Sequence, residues 1–239
     1  MEQRLNIKKL GTRLVAGLIL SLPVFLGAIR VSWGKTAEEY RIQGLSDRQQ
    51  EKYPEAIEQL TKAVALEPDN IAGRVILGWT QHRANQPKAA TQTLVDTFYR
   101  QPFNVPNLNA LGIVHLVNDR LPEAVITHSW AIAIKPDNEI AHYNLSLAME
   151  RLGQYAWAVS NALEASKLEP TNPHPFIALS IAYWGAGDRP QALQAFQQAL
   201  SLDGRYAERE FLNYLGEAGF SPPQIKASQE ILQNLPKGN

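Results

Sequence analysis

The chain contains no cysteine. That excludes disulfides, iron–sulfur clusters and thiol catalysis, and it leaves the redox compartment open. Charge is also sparse: 19% of the 239 residues are charged, and the formal net charge is +0. The balance is uneven along the chain. Residues 1–34 hold five of the 23 basic residues (Arg4, Lys8, Lys9, Arg13, Arg30) and one of the 23 acidic ones, Glu2. Residues 35–239 therefore carry 18 basic and 22 acidic side chains, a net of 4 negative charges. A mildly acidic body argues against nucleic acid as the main partner, because phosphate binding needs a basic surface. Catalytic signatures are missing too. There is no G-x-S-x-G, no H-E-x-x-H, no phosphate-cradling glycine loop and no EF-hand. Nothing points to an enzyme or to a cofactor.

What is present begins with an apolar run, "LVAGLILSLPVFLGAI", residues 14–29, sixteen residues without a charge between Arg13 and Arg30. A membrane-spanning helix needs roughly 20 residues, with about 17 as the lower limit. Snorkelling of Arg30 extends the run to Trp33, and tryptophan favours the membrane boundary. The leading reading is a basic segment over 1–13 followed by a signal-anchor helix over 14–33. A cleaved signal peptide is the alternative, with "SWG" before Lys35 as a poor cleavage site; a buried globular helix ranks last. Arg4, Lys8, Lys9 and Arg13 precede the run, which places the N-terminus in the cytoplasm. The body then lies on the non-cytoplasmic side, in a periplasm or lumen, or is secreted if the signal is cut.

A phrase then recurs: "LEPDN", "RQPFN", "IKPDN" and "LEPTN". Their prolines, Pro68, Pro102, Pro136 and Pro170, stand 34 residues apart, and so do Asn70, Asn104, Asn138 and Asn172. Proline suits the end of a helix, and asparagine two residues later can accept a backbone N–H at the start of the next. Five units align without a gap: 37–70, 71–104, 105–138, 139–172 and 173–204. Position 20 is Ala56, Ala90, Ala124, Ala158 and Ala192; position 8 is Gly44, Gly78, Gly112, Ser146 and Ser180. Small residues at these spacings mark two amphipathic helices crossing closely in each unit. Position 15, between the halves, is Glu51, Asn85, Asp119, Gly153 and Gly187, four of which tolerate a left-handed backbone well. Pro54, Pro122 and Pro190 follow three residues later, in the first turn of the second helix.

These columns resemble the tetratricopeptide repeat, W-x₂-L-G-x₂-Y followed by A, F, A and P. The resemblance covers residues 37–204, with Gln43 in place of leucine in the first unit and Gly204 in place of the last proline. It implies an all-α fold, a right-handed superhelical solenoid of helix pairs. A solenoid end needs a polar-backed cap. Residues 205–235 supply it as two capping helices, one over 207–217 and one opening at "SPPQ", a capping-box start.

The resemblance also implies a concave groove lined by the first helix of each pair, holding a peptide or helix of a protein partner. Its positions are Val75, Trp79, His82 and Arg83; Asn109, Ile113, Leu116 and Val117; Tyr143, Leu147, Glu150 and Arg151; and Ile177, Ile181 and Trp184. The lining is apolar and aromatic, which suits an amphipathic helix or an extended apolar segment. Trp79, Tyr143 and Trp184 are the favoured contacts, since such rings are enriched at binding hot spots. The lysine and asparagine set with which family members clamp the carboxylate of a chaperone tail is missing. Arg41 and Leu45, Ile76, then Pro106 and Ala110 occupy those positions. The reading is thus a non-catalytic, membrane-tethered interaction module, a scaffold or assembly factor. A soluble exported adaptor is the runner-up. A third reading uses His115, His128 and His142 as a metal-binding or pH-responsive cluster, although no carboxylate completes a metal site and the bland alternative is that they are satisfied core histidines.

Overall fold

A computed structural model describes residues 34–236; the signal-anchor helix expected over 14–33 lies outside them. The described residues are helical throughout. Five pairs follow one another: α1 (Ala37–Gln49) and α2 (Tyr53–Leu66), α3 (Ile71–Arg83) and α4 (Pro87–Arg100), α5 (Val105–Val117) and α6 (Leu121–Ile134), α7 (Glu139–Arg151) and α8 (Tyr155–Leu168), α9 (Pro173–Ala186) and α10 (Arg189–Leu202). The recurring asparagines cap the first helices. Asn70, Asn104, Asn138 and Asn172 accept from the backbone N–H of Gly73, Asn107, Ala141 and His174. Thr36 does the same for α1 in a capping box with Glu39. All five residues at position 15 adopt positive φ: Glu51 59°, Asn85 57°, Asp119 61°, Gly153 71° and Gly187 84°. The turn geometry is therefore uniform, and Glu51 takes it despite its side chain.

The small column has a direct cause. A Cβ on Gly44 would lie 2.7 Å from Leu60 Cγ, one on Gly78 2.6 Å from Leu94 Cγ, and one on Gly112 2.5 Å from the His128 ring. In these three units glycine makes room for the side chain at position 24, whereas the fifth unit accommodates Phe196 opposite Ser180. Within each unit the two helices pack along their length, and each second helix packs on the next first helix. In addition α3 touches α5, α5 touches α7 and α7 touches α9, whereas successive even-numbered helices meet scarcely or not at all. The layer therefore curves with the odd-numbered helices inside.

The C-terminal cap departs from the expected helix pair. Two 3₁₀ segments, Gly204–Ala207 and Phe211–Ala218, precede α11 (Pro222–Gln233). No α-helix runs over 207–217. Leu212, Leu215 and Ala218 are spaced by three residues, which stacks them along one edge of a three-residue-per-turn helix. Gly219, φ 89°, then turns the chain into the α11 capping box at Ser221 and Gln224.

Candidate partner-binding groove

The inner face has two unlike halves. In the C-terminal half, the chain's own tail lies on the odd-numbered helices. Leu212, Leu215, Phe220 and Ile231 are buried with Leu116, Leu147, Ile177 and Ile181 in one cluster. Each such burial contributes roughly 1.5–3 kcal/mol of transfer free energy, so the tail is firmly held. Polar contacts fix its position. The Tyr143 hydroxyl donates to the Ala218 carbonyl at 2.7 Å. The Gln224 amide donates to the Leu147 carbonyl at 3.1 Å and to Glu150 Oε2 at 2.8 Å. Burial raises the pKa of Glu150, and the Gln224 bond opposes that rise. Phe220 meets Tyr143 edge-on, with centroids 6.1 Å apart.

Several groove positions named from the sequence therefore have other occupations. Leu116, Leu147, Ile177 and Ile181 are closed to solvent by the tail, and Tyr143 spends its hydroxyl on it. Trp184 carries the Arg189 guanidinium on its face, 3.5 Å from the ring centroid. Arg151 donates to the Leu116 carbonyl at the end of α5 and pairs with Asp119, both at 2.5–2.8 Å. It caps a helix C-terminus and joins two units. Asn109 exchanges two amide bonds with Asn138, the α7 cap, at 3.2 and 2.9 Å. These are contacts within the chain that spacing alone does not reveal.

The N-terminal half is open. Val75 and Trp79 are half-buried against the cluster formed by Ala90, Leu94, Leu111 and Val114. The Trp79 and His82 rings stand 5.0 Å apart, and burial lowers the His82 pKa, helped by Arg83. Ile113 is half-buried, and Arg83 and Val117 are exposed. Of the three favoured rings, Trp79 alone keeps a face that neither the tail nor an arginine covers.

The histidines do not form one cluster. His142 bonds Asn161 Oδ1 at 2.9 Å and the Pro136 carbonyl at 3.0 Å. His115 and His128 are buried neighbours at the α5–α6 junction, where His115 Nδ1 and both His128 ring nitrogens lack hydrogen-bond partners among the described residues. Burial pushes the His128 pKa down to about 3, with His115 adding to the effect and the Gly112 backbone opposing it. Among the described residues no group of three His, Cys, Asp or Glu side chains is placed to hold a metal.

The fold and its inner groove define a solenoid of helix pairs. The chain carries tetratricopeptide-repeat sequence over residues 47–112 and 177–221, where models of that repeat match. Curated relatives include tetratricopeptide repeat protein 28 of Homo sapiens, 28% identical over 114 residues, 48% of this chain and 4% of that one. The Hsp70-Hsp90 organizing protein of Triticum aestivum is 32% identical over 84 residues, 35% of this chain and 14% of its own length. The chain thus spans only a small part of these relatives. Solved structures with the same fold include a MamA protein, TM-score 0.63 and 23% identity over 74% of this chain and 96% of that one. A tetratricopeptide repeat protein from Parabacteroides merdae ATCC 43184 matches with TM-score 0.64 and 16% identity, over 85% of this chain and 82% of its own.

Proposed function

We propose that the chain is a non-catalytic protein-binding module that holds an apolar or helical segment of a partner on the open half of its inner face. Tetratricopeptide-repeat relatives and the absence of catalytic motifs support the class. The observation that carries the finer reading is the filled half. There the same kind of lining already holds an apolar helical segment, the chain's own. Val75, Trp79, His82, Arg83 and Ile113 continue that lining toward the N-terminus. The chaperone-tail clamp has no matching side chains here, so a helix is favoured over a free carboxylate, despite the likeness to the Hsp70-Hsp90 organizing protein.

The apolar segment over 14–33 supports tethering at a membrane, with the repeats on the non-cytoplasmic side. Tethering raises the effective concentration of the groove for membrane partners and suits a scaffold or assembly role. Photo-crosslinking in native membranes tests the groove: a probe at Ile113 captures a partner segment and one at Glu164, on the second helix of the fourth pair, does not. Capture that is equal at both positions, or undiminished by Trp79→Ala, sinks the groove reading. Carbonate extraction with N-terminal sequencing tests the anchor separately.

A further inference from the structure

The filled half of the inner face shows how a segment is read there, and the open half carries the opposite polarity at the same register. In the third and fourth units position 12 meets the tail. Leu116 packs in the cluster that buries it, and Glu150 accepts from the Gln224 amide at 2.8 Å. An acceptor at position 12 thus meets a donor on the segment that lies against it. In the first and second units the same position is Arg48 and His82, and Arg83 follows at position 13. These side chains donate, and the two arginines are permanently charged.

The chain does not use that charge itself. Arg151, at position 13 of the fourth unit, pairs with Asp119 and with the Leu116 carbonyl of the unit before. For Arg83 the corresponding carboxylate is Glu51, yet among the described residues neither Arg83 nor Arg48 takes part in an ion pair. Arg83 is exposed and Arg48 half-buried. Arg41, by contrast, is held by Glu67 at 2.9 Å. The carboxylate at position 2, Glu38, stands at the other end of α1, about 15 Å from Arg48 along the axis. The open half is therefore apolar along its middle, at Val75, Trp79 and Ile113, and cationic where α1 and α3 end.

We infer that the segment held by the open half is an amphipathic helix of a partner protein whose apolar face is flanked by aspartate or glutamate side chains, on the edge that meets Arg48 and Arg83. The inference rests on the groove reading above and adds the partner's charge to it. Charge complementarity of this kind sets specificity and register more than raw affinity. A basic flank would place like charges together and so be rejected, and a neutral flank would bind without using either arginine. Positions 12 and 13 lie outside the set with which family members clamp the carboxylate of a chaperone tail. The acid is therefore read on side chains within a helix, not at a chain end.

The test uses the full chain in nanodiscs and a fluorescent, amidated helical peptide of about 15 residues with a leucine stripe. The peptide is made in three forms, with glutamate, glutamine or lysine at the flanking positions. Anisotropy, with empty nanodiscs as the blank, reads the binding. The glutamate form should bind about fivefold more tightly than the glutamine form, and the lysine form more weakly still. Raising the salt from about 50 to about 300 mM should remove most of that difference. Arg83→Glu, at an exposed position where the fold is left intact, should erase the glutamate preference and strengthen the lysine form about threefold. Arg48→Gln, the second variant, should lower the preference about twofold. Lys88→Glu, exposed on α4, should change nothing. The two ways of failing are distinct. If no form binds saturably, the groove reading falls and this inference falls with it. If all three forms bind alike and Trp79→Ala abolishes their binding, the groove reading stands and the inference is overturned. A glutamate preference that survives Arg48→Gln and Arg83→Glu together also overturns it, because the charge is then read elsewhere.

Discussion

The inner face divides at α5, and its two halves carry similar side chains with different fates. Val75, Trp79 and Ile113 stand at positions equivalent to Ile177 and Ile181, yet the first three are half-buried and the last two all but fully buried. Unit chemistry does not explain this. The end of the chain does, because it returns along the inside and covers α9, α7 and the end of α5. A solenoid normally gives each unit contacts with its neighbours alone. Here one short segment touches three successive units at once and so links the third and fifth, which the repeat itself leaves out of contact.

The sharpest way to break this comparison is to weaken each half in turn. Phe220→Ala removes a large buried side chain and should cost about 3–5 kcal/mol in denaturant unfolding. Trp79→Ala, at a half-buried ring, should cost about 1–2 kcal/mol. A cost near zero for Phe220→Ala would mean that the tail is not part of the cooperative fold, and the two halves would then differ only in appearance.

A second contrast lies between the third unit and the first two. Position 24 is Leu60 and Leu94 in those, but His128 here, fully buried with both ring nitrogens unpartnered. Burial depresses its pKa to about 3, from an unfolded value near 6.5. The unfolded chain then binds the proton more readily than the folded one. The neutral ring's stability is fully present above pH 6.5 and is lost as pH falls toward 3, by about 1.4 kcal/mol per unit. Between pH 6.5 and 4.5, chemical unfolding should therefore show a loss of stability that is smaller by about 2 kcal/mol in His128→Leu. His82, His115 and His174, also held down by burial, add the same sign in both proteins and leave the comparison intact.

Fold and site were unequally legible. The 34-residue step, the asparagine caps and the glycine column are local or within one unit, so period and residue type reveal them. The groove's lining was legible as a list of positions, but its occupancy was not. Tyr143 meets Ala218 across 75 residues, and Gln224 meets Leu147 across 77. No periodic signal connects residues that far apart outside the array. One clue was present: residues 206–220 hold Tyr206, Phe211, Leu212, Tyr214, Leu215 and Phe220, more apolar bulk than a one-sided cap requires. The uses of Arg151 and Asn109 between units were hidden for a different reason. A polar side chain on an inner helix reads the same whether it faces a ligand or the neighbouring unit.

Smaller changes sharpen the division further. Tyr143→Phe deletes the 2.7 Å bond to Ala218 and leaves a carbonyl without its donor, a loss of about 1 kcal/mol. Hydrogen exchange should quicken along α11 and stay unchanged along α3. Acceleration spread evenly over both would show that the halves open together.

The smallest effect tests the turns. Glu51, Asn85, Asp119, Gly153 and Gly187 share one left-handed geometry, although only two are glycine. A side chain in that region costs about 1–2 kcal/mol, less for asparagine and aspartate, whose side chains bond locally. Glu51 has the least compensation of the five. Its side chain is exposed and forms no hydrogen bond among the described contacts. Glycine there relieves the backbone but loses more entropy on folding, so Glu51→Gly should stabilise by about 0.5–1 kcal/mol. The reverse change at Gly153 isolates the backbone effect, because a Cβ there meets nothing within 4 Å. Gly153→Ala should therefore destabilise by about 1 kcal/mol with no packing contribution. The two shifts, read as changes in unfolding midpoint at constant m, should have opposite sign and similar size. Loss of stability in Glu51→Gly would mean that the first turn is held by its glutamate rather than strained by it.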